Sequence, residues 1–450
     1  MDIPKEAIAP SVENDAAQTK RGSSIESWWM VALLLLFYIL ATLDRNIFTM
    51  IVDPIKKDLL LSDFEMSLLL GPGLSLFFAI AGFPLGMAAD RYPRRWIIFL
   101  GVIFASAATI LGGLGRSFMS LLMSRMLVGG GEAALTPSAY SLIADKFPRE
   151  RLTTVLAVYG MGPKLGLATA FAAGAVIISF TERLGSYALP VVGVLHPWQL
   201  TLMIVGLPGL LLSALVFTFS EPRRSAGRGT QEGTALDLLP FLASHRKLFT
   251  LIVIGFGLVA LCTGALMAWI PTYMSREFGW SAGRYGPILS LISLLNGLII
   301  VPKGMLVDWL FSRGMKDAHV RFYTWLLAFA VPVLSLAFMM KEPVHFLILY
   351  GMINVVTLTL FIYVSALLQV ITPPNLRGRA TALLLLLLNL FVGMLGPVCV
   401  AILTDFVFRD PGQIGKALWI VSVASLAGAF IALRYSLSGV KAAVRGVEHN

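Results

Sequence analysis

Charge is scarce in this sequence, and the scarcity excludes a water-soluble protein. Only 13% of the 450 residues are charged while 57% are hydrophobic, and the mean hydropathy is +0.81. Water-soluble domains carry roughly a quarter charged residues. The deficit extends along the whole chain, and apolar stretches of about 20 residues, long enough to cross a bilayer, recur from Trp28 to Tyr435. The composition therefore excludes a soluble enzyme and predicts helices that span a membrane.

Cysteine and histidine are also scarce. Cys262 and Cys399 each lie inside an apolar run, so they provide neither a disulfide framework nor a cysteine-rich metal site. The five histidines fall in loops, at the ends of segments or in the C-terminal tail, and none belongs to a recognisable nucleophile motif. We therefore expect no catalytic residue, no metal site, no cofactor and no nucleic-acid partner.

The apolar stretches predict an all-α membrane protein with twelve transmembrane helices in two six-helix bundles. The longest internal polar segment, residues 221–247, has six spans on each side and is interpreted as a cytoplasmic linker. Residues 28–220 then form the N-terminal bundle and residues 248–435 the C-terminal bundle. The predicted spans lie at about 28–50, 66–89, 96–114, 119–143, 153–180, 198–219, 248–273, 285–309, 322–340, 346–371, 380–405 and 414–435.

The polar ends are expected to lie outside the bilayer on the same side. Residues 1–27 lack the apolar core and small-residue cleavage site of a signal peptide, so they are interpreted as a disordered cytoplasmic tail, and residues 436–450 as a second tail. Loops on the side of the termini hold more than twice as many Lys and Arg residues as the opposite loops, which predicts cytoplasmic termini. Few cysteines and short loops fit a bacterial inner membrane, although an organelle membrane stays open. We expect a monomer.

A sequence repeat relates the two halves. Residues 84–90 read PLGMAAD at the end of the second span, and residues 302–308 read PKGMLVD at the end of the eighth, with four of seven positions identical. A Gly-Pro pair recurs likewise, at Gly162-Pro163 in the fifth span and at Gly396-Pro397 in the eleventh. Parallel repeats of six helices occur in transporters that bind their solute between the halves, near the bilayer midplane.

Two motifs resemble those of the major facilitator superfamily. Gly86-x3-Asp90-Arg91-x2-Arg94-Arg95 resembles its loop signature, with Pro93 where the family usually has glycine, and Gly162-Pro163-x2-Gly166 resembles its fifth-helix motif. The resemblance covers nearly the whole chain after residue 27. It implies two related six-helix bundles that move a small solute by alternating access.

The loop motif predicts a gate on the cytoplasmic side. The Asp90 carboxylate is expected to face the positive N-terminus of span eleven, near Ala380, and the arginines are expected to meet Asp145 or Glu150. The alternative is a basic cluster that only sets topology. The predicted gate comprises Gly86, Asp90, Arg91, Arg94, Arg95 and Asp145, and the predicted packing or hinge residues are Gly162, Pro163, Gly166, Gly396 and Pro397.

Five ionisable side chains lie inside predicted spans of the N-terminal half. Such groups are costly in a bilayer and are functional candidates by default. From the helical rise, Asp44 and Arg125 lie about 14 Å from the outer surface, and Glu132 and Lys164 about 20 Å from the cytoplasmic surface. With Arg45, the five are predicted to form one ladder of charge. The alternative is a set of closed structural ion pairs. In the second half, Lys303 is interpreted as a surface lysine that extends to the interface.

The charged residues resemble two related transporter families. Asp44-Arg45 in the first span, then Arg125 and the GEA segment at residues 131–133 in the fourth, are similar to Spinster lipid transporters and to organic anion:proton symporters. The stretch from Gly131 to Arg151 is closer to bacterial Spinster-like proteins. The resemblance implies that Asp44 and Glu132 carry protons and that Arg45 and Arg125 bind an anionic group. Lys164 matches no motif of either family; we group it with the substrate-binding residues, as a headgroup contact if it faces the cavity.

The second half favours a solute with an apolar tail. Residues 383–388 are six consecutive leucines and few polar groups lie nearby, although lipid-facing leucines would give the same pattern. We therefore expect a proton-coupled secondary transporter of an anionic or zwitterionic amphipath, similar to a lysolipid or sphingolipid. The alternatives are a symporter of small organic anions such as sugar acids, and a membrane receptor or scaffold that transports nothing.

Overall fold

The protein is almost entirely helical. The computed structural model describes residues 25–189, 193–222, 238–357, 360–373 and 376–448. Most of the predicted first tail and residues 223–237 of the predicted linker lie outside these ranges. The helices of the N-terminal half are α1 Ile25–Met50, α2 Val52–Leu59, α3 Asp63–Leu70, α4 Pro72–Arg91, α5 Arg94–Gly113, α6 Phe118–Glu132, α7 Leu135–Lys146, α8 Arg149–Gly160, α9 Gly162–Leu184 and α10 Pro197–Leu212.

The second half begins after a short helix in the linker region, α11 Leu238–Ser244. Its helices are α12 Arg246–Phe278, α13 Ala282–Ser312, α14 Ala318–Ala337, α15 Pro343–Thr357, α16 Leu360–Ile371, α17 Arg377–Leu390, α18 Gly396–Ile402 and α19 Ile414–Glu448. Two π-helical segments, Phe391–Leu395 and Leu403–Phe408, flank α18. The one departure from all-α structure in the described chain is a hairpin of β1 Tyr187–Leu189 and β2 Gly193–Leu195.

The predicted fold class is confirmed. Within the described residues, ten helical segments are long and apolar enough to cross a membrane. The other two predicted spans correspond to two pairs of helices. The pair α6–α7 is interrupted by a turn at residues 133–134, and residues 358–359, between α15 and α16, lie outside the described part of the chain. The last helix continues to Glu448, so the described part of the predicted second tail is helical and prolongs span twelve.

Proline and glycine explain where spans four and five break. Pro137 has no N–H to donate to the carbonyl of Ala133, and α6 ends at Glu132 just before that residue. In span five, α8 ends at Gly160 and α9 begins at Gly162-Pro163, where proline is tolerated in the first turn. Glu132 therefore lies at a break in a membrane helix.

The repeated Gly-Pro motifs pack in equivalent places. A Cβ at Gly162 would lie 2.7 Å from the Tyr38 ring, and one at Gly166 would lie 2.5 Å from Thr42, both on α1. In the other half, a Cβ at Gly396 would lie 2.5 Å from the Ala265 nitrogen of α12. Trp269, also on α12, donates a 2.9 Å hydrogen bond to the Pro397 carbonyl. Each motif thus brings the fifth helix of its half against the first.

The protein has two opposite faces, which differ in the helix ends and loops that meet there. Glu26 contacts Lys146 and Ser220, so the start of α1 and the ends of spans four and six meet at one end, which we call the terminal face. The loops after spans one, five, seven and eleven lie at the opposite face. Asp317 and Lys441, 3.8 Å apart, mark the terminal face of the second half.

The glycine contacts that hold spans three and four together give a test of the packing. Gly131→Ala is expected to lower stability by about 1–3 kcal/mol, because its Cβ would lie 2.7 Å from the Gly101 carbonyl oxygen. Gly130→Ala is the matched control, since no described atom lies within 4 Å of a Cβ at that position. The melting temperature of the purified variants in one detergent measures the effect. Equal melting temperatures for the two variants would contradict this packing.

Candidate functional site

Four of the five predicted intramembrane charges form two ion pairs inside the N-terminal half. Arg45 of α1 donates through Nε to Glu132 Oε2 of α6 over 2.6 Å. One residue earlier on α1, Asp44 Oδ1 lies 3.8 Å from Arg125 Nη1 of α6. Arg125 and Glu132 are seven residues apart, so both project from one face of α6 toward α1.

Small residues let the helices that carry these charges approach closely. Gly101 of α5 and Gly131 of α6 face one another, and a Cβ at either position would lie 2.7 Å from the carbonyl oxygen of the other. Thr109, further along α5, donates a 2.6 Å hydrogen bond to Asp44 Oδ2. Span three therefore packs closely on span four and hydrogen-bonds Asp44, which holds the ion pairs in place.

The two carboxylates line one small cavity, and each has one oxygen without a described partner. Asp44 Oδ1 and Glu132 Oε1 are buried and have no hydrogen-bond partner among the described residues. Both side chains line a cavity of about 40 Å³ between spans one, three, four and six, together with Thr109 and Ser106. The cavity has room for one or two water molecules, for which the two carboxylates and the hydroxyl groups of Thr109 and Ser106 offer hydrogen-bond partners in an otherwise apolar lining.

The two arginines differ in exposure. The Arg45 side chain is 39% exposed, and its guanidinium lies 4.7 Å from the centre of the Phe78 ring. The Arg125 side chain is only 3% exposed and lies 4.5 Å from the Phe48 ring. Arg45 is therefore accessible in this conformation, whereas Arg125 is enclosed within the bundle.

The fifth charge, Lys164, lies at the boundary between the halves. Its Cβ is 3.8 Å from the position that a Cβ on Gly297 of α13 would occupy. Lys164 is half-buried. It therefore belongs to the seam between α9 and α13, whereas Glu132 has Arg45 as its partner.

The interpretation of Lys303 as a surface lysine is wrong. Lys303 is only 7% exposed, and its ammonium group donates to the carbonyl of Val355. The same group lies 5.6 Å from the centre of the Tyr363 ring. The sequence placed Lys303 near the end of a span, but the neighbouring helices α15 and α16 cover it.

The gate arginines make their described contacts within the N-terminal half. Arg94 is fully buried and binds Asp145, as predicted, together with Glu221 at 3.2 Å. Arg95 lies 3.6 Å from Glu221 and donates to the Phe219 carbonyl. In this conformation Arg94 and Arg95 therefore join loops of one half and do not bridge the halves. The side chain of Glu150, the other predicted acceptor, lies outside the described part of the chain.

The halves diverge toward the terminal face, and the rest of the gate motif lies where they are apart. On α13, a Cβ at Gly286 would lie 2.6 Å from the Phe171 carbonyl of α9, and a Cβ at Gly297 would lie 3.8 Å from Lys164. At Gly304, nearer the terminal face, no described atom lies within 4 Å, and the same holds for Gly86 on α4. The side chains of Asp90 and Arg91 are exposed.

The opposite face holds a set of ion pairs between the halves that the sequence reasoning missed. Arg276 of α12 donates to both carboxylate oxygens of Asp63, at 2.8 and 2.9 Å, and to Asp53 at 2.8 Å. Asp63 is fully buried and also binds Lys56 at 2.6 Å. Asp405 adds a second link, because it accepts a 2.6 Å hydrogen bond from the Phe64 amide. These residues sit in loops or at helix ends, where sequence alone shows only ordinary polar residues.

Comparison with known proteins gives one family. The pattern that defines the Major Facilitator Superfamily matches residues 34–397. An MFS-type efflux pump of Mycolicibacterium smegmatis is 27% identical over 438 residues, covering 94% of this chain and 95% of that protein. Protein spinster of Drosophila melanogaster is 23% identical over 447 residues, with coverage of 95% and 70%. The hexuronate transporter of Bacillus subtilis is 22% identical over 428 residues, with coverage of 90% and 94%.

Solved structures show the same fold. A bacterial homolog of the human lysosomal transporter Spinster, inward-facing and unoccupied, superposes with a TM-score of 0.76 at 22% identity, covering 94% of this chain and 98% of that one. A nucleoside transporter superposes with a TM-score of 0.71 at 12% identity, with coverage of 91% and 99%. At these identities the likeness concerns the fold alone.

The ion pairs at the opposite face predict how the conformation responds to a mutation. Arg276→Gln is expected to shift the protein toward a state open at the opposite face, because it leaves the buried Asp63 carboxylate without its bidentate partner. Distances between spin labels placed across each face would measure the shift, with widening at the opposite face and narrowing at the terminal face. Arg284→Gln serves as the control, since Arg284 is exposed and stacks on Trp280 of its own half. Unchanged distances in Arg276→Gln would show that these pairs do not hold the face closed.

Proposed function

The chain belongs to the Major Facilitator Superfamily, and from that premise we propose that it is a proton-coupled secondary transporter of an anionic or zwitterionic amphipath. Its family and fold are those of multi-pass membrane transporters and not of enzymes. One observation carries the proposal: Asp44 and Glu132 are each held by an arginine, and both line one cavity inside the bundle.

Stability does not account for these charges. Desolvation offsets most of the attraction in a buried ion pair, so packed apolar side chains would serve a purely structural role as well. Ionisable residues inside a membrane span instead mark ion or substrate pathways. The two ion pairs join neighbouring helices, and the side chain of Arg45 reaches the accessible space. This arrangement fits a site in which an arginine exchanges its carboxylate partner for an anionic solute.

Exchange of partners at Arg45 would couple the proton to the solute. When Glu132 is ionised, its charge is matched by Arg45 over 2.6 Å. Protonation of Glu132 removes that charge and leaves Arg45, at 39% exposed, to bind an anionic headgroup. Asp44 has the same relation to Arg125, whose positive charge would add to the field at the headgroup when Asp44 is protonated.

The cavity between the two acids provides a route for the proton. Asp44 Oδ1 and Glu132 Oε1 lack hydrogen-bond partners in the described chain, and both carboxylates border the cavity of about 40 Å³. Water in this space would hydrogen-bond both oxygens and relay a proton between them. The relay lies behind α1 and α6, so proton and solute would approach the ion pairs from different sides.

Alternating access would close the terminal face and open the opposite one. Gly86 and Gly304 lie at positions where no described atom is within 4 Å of a Cβ, and each would permit close approach of a facing helix when the halves converge. Asp90 and Arg91 would then join the Arg94, Arg95 and Asp145 cluster as the gate. The break before Gly162-Pro163 and the π-helical segment before Gly396-Pro397 would serve as hinges.

The orientation follows from the loop charges. Lys and Arg are enriched in the loops of the terminal face, so we assign this face to the cytoplasm and the chain to a bacterial inner membrane as a monomer. The conformation is then open toward the cytoplasm and closed toward the outside by Arg276, Asp53 and Asp63.

The apolar surface of the second half supports an amphipathic solute. In the run of leucines on α17, Leu384 and Leu388 are buried, while Leu383 and Leu386 are exposed. The helix also contacts α4 of the other half, so part of its surface borders the space between the halves. A charged wall opposite an apolar wall suits a headgroup joined to a tail.

A symporter of small organic anions is the second candidate. The similarity to a hexuronate transporter over 90% of this chain favours it. The same ion pairs would then bind a carboxylate, and the acids would carry protons in the same way. The two candidates differ in what they require of the second half, because a sugar acid needs hydrogen-bonding partners for its hydroxyl groups.

The role of Glu132 in coupling is tested by removing its charge. Glu132→Gln is expected to abolish uptake driven by a pH gradient in proteoliposomes and to retain solute exchange, because the glutamine cannot carry a proton. Glu342→Gln, in an exposed loop, should behave as the unaltered protein. An unchanged dependence on the pH gradient in Glu132→Gln would remove this residue from the coupling step.

The class of solute is tested by binding to the purified protein. Lysolipids are expected to raise the melting temperature and hexuronates are not, and Arg125→Ala should weaken the lysolipid effect by about tenfold in affinity, the loss expected for one buried charge partner. Stabilisation by hexuronates without any effect of lysolipids would favour the second candidate. If neither lysolipids nor hexuronates raise the melting temperature, and neither is transported, the protein is a transporter of neither class of solute.

A further inference from the structure

A cavity of about 380 Å³ lies at the opposite face, inside the N-terminal half. Its lining residues belong to α2, to the end of α9 and to the start of α10, with Ile51 just before α2. None of them borders the cavity of Asp44 and Glu132, and none belongs to the second half. Small-molecule sites in proteins have volumes of about 300–1,000 Å³. The cavity is therefore large enough for a ligand and separate from the proposed solute path.

The floor of this cavity is apolar. Ile51, Ile178 and Trp198 are buried there, each at most 4% exposed. The hydroxyl groups of Thr181 and Thr201 lie 2.9 Å apart, and each is also hydrogen-bonded to a carbonyl of its own helix. A polar group of a ligand would find few unused partners at this depth, and an unpaired buried polar group is costly. The part of a ligand that enters the floor is therefore apolar.

One carboxylate is fixed in the wall by the rings of two side chains. Trp198 Nε1 donates a 2.9 Å hydrogen bond to Asp58 Oδ2, and His196 Nε2 lies 3.1 Å from Asp58 Oδ1. Both rings come from the start of α10, whereas Asp58 belongs to α2. These contacts set the position of a negative charge beside the apolar floor before any ligand binds, which lowers the cost of binding.

A second carboxylate, at the mouth of the cavity, has no counter-ion. Glu182, at the end of α9, is exposed and makes no ion pair with another described residue. Lys57 is the cation among the lining residues, and it too is exposed and makes no ion pair within the described ranges. Two carboxylates and one ammonium leave an excess of one negative charge when the imidazole of His196 is neutral. The complementary ligand carries one positive charge.

We propose that this cavity binds an organic monocation with an apolar body, of the arylalkylamine class. The apolar body occupies the floor, and the ammonium group lies at the mouth near Asp58 and Glu182. The site lies outside the proposed solute path, so the inference goes beyond the proposed function and does not depend on it. Because α2 also carries Asp53, which pairs with Arg276 of the second half, the ligand contacts a helix that helps to close this face.

The test compares probes that share a ring and differ in charge. 4-Fluorophenethylamine is a cation, 2-(4-fluorophenyl)ethanol is neutral and 4-fluorophenylacetate is an anion. Fluorine NMR titrations of the protein in nanodiscs, corrected with empty nanodiscs, measure the three affinities at about pH 8, where a histidine side chain is ordinarily neutral. The amine is expected to bind saturably and about two- to fivefold more tightly than the alcohol, the gain expected for an exposed ion pair. The anion is expected to bind most weakly.

Two variants locate the site. Glu182→Gln removes the charge at the mouth and is expected to weaken the amine about two- to fivefold while leaving the affinity for the alcohol unchanged. Thr201→Met places a longer side chain on the floor and should weaken the amine and the alcohol alike. Glu277→Gln is the matched control, because Glu277 is an exposed glutamate at the same face that does not line the cavity.

Each outcome decides one part of the proposal. Equal affinities for the amine and the alcohol, or tightest binding of the anion, would overturn the assignment of a cation. An amine affinity that neither variant lowers would place the binding elsewhere and overturn the site. Melting temperatures show whether the variants are folded, and Glu182→Gln decides alone if Thr201→Met does not fold, since Glu182 is on the exposed surface. None of these measurements involves flux, so their failure would leave the proposed function standing.

Discussion

The contact between Arg45 and Glu132 is the interaction on which the functional site depends. A lone carboxylate or guanidinium inside a membrane bundle is costly, so each of these groups requires the other or a substitute of the same charge. The pair joins α1 to α6 at the point where span four breaks, and Arg45 extends into accessible space. A proton on Glu132 or an anion on Arg45 would each disturb this pair, and the proposed coupling of proton and solute rests on that shared dependence.

Close packing at glycines joins the helices within each half. The contacts at Gly101, Gly131, Gly166 and Gly396 fix helices within each half, because no side chain separates the backbones. Between the halves the same kind of contact is present at Gly286 and absent, among the described atoms, at Gly304. Each half is therefore tightly packed within itself, while the seam between halves is tight at one end and open at the other.

The ion pairs at the two faces have different effects on this seam. At the terminal face, Arg94 is fully buried with Asp145 and Glu221 of its own half, so it stabilises the loops of one bundle. At the opposite face, Arg276 binds Asp53 and Asp63 of the other half, so it stabilises the contact between bundles.

Sequence alone determined the spans, the repeat, the family resemblance and the identity of the four charges that pair in the N-terminal half, because these depend on local composition and helical spacing. Only the tertiary structure decided the partners. Two arginines and two acids at similar depths allow several pairings, and the choice of Arg45 with Glu132 depends on the rotation of α1 against α6. The burial of Lys303 under α15 and α16 depends in the same way on distant segments, as does the closure of one face by Arg276. Hydropathy and spacing describe one helix at a time, whereas these contacts arise between helices.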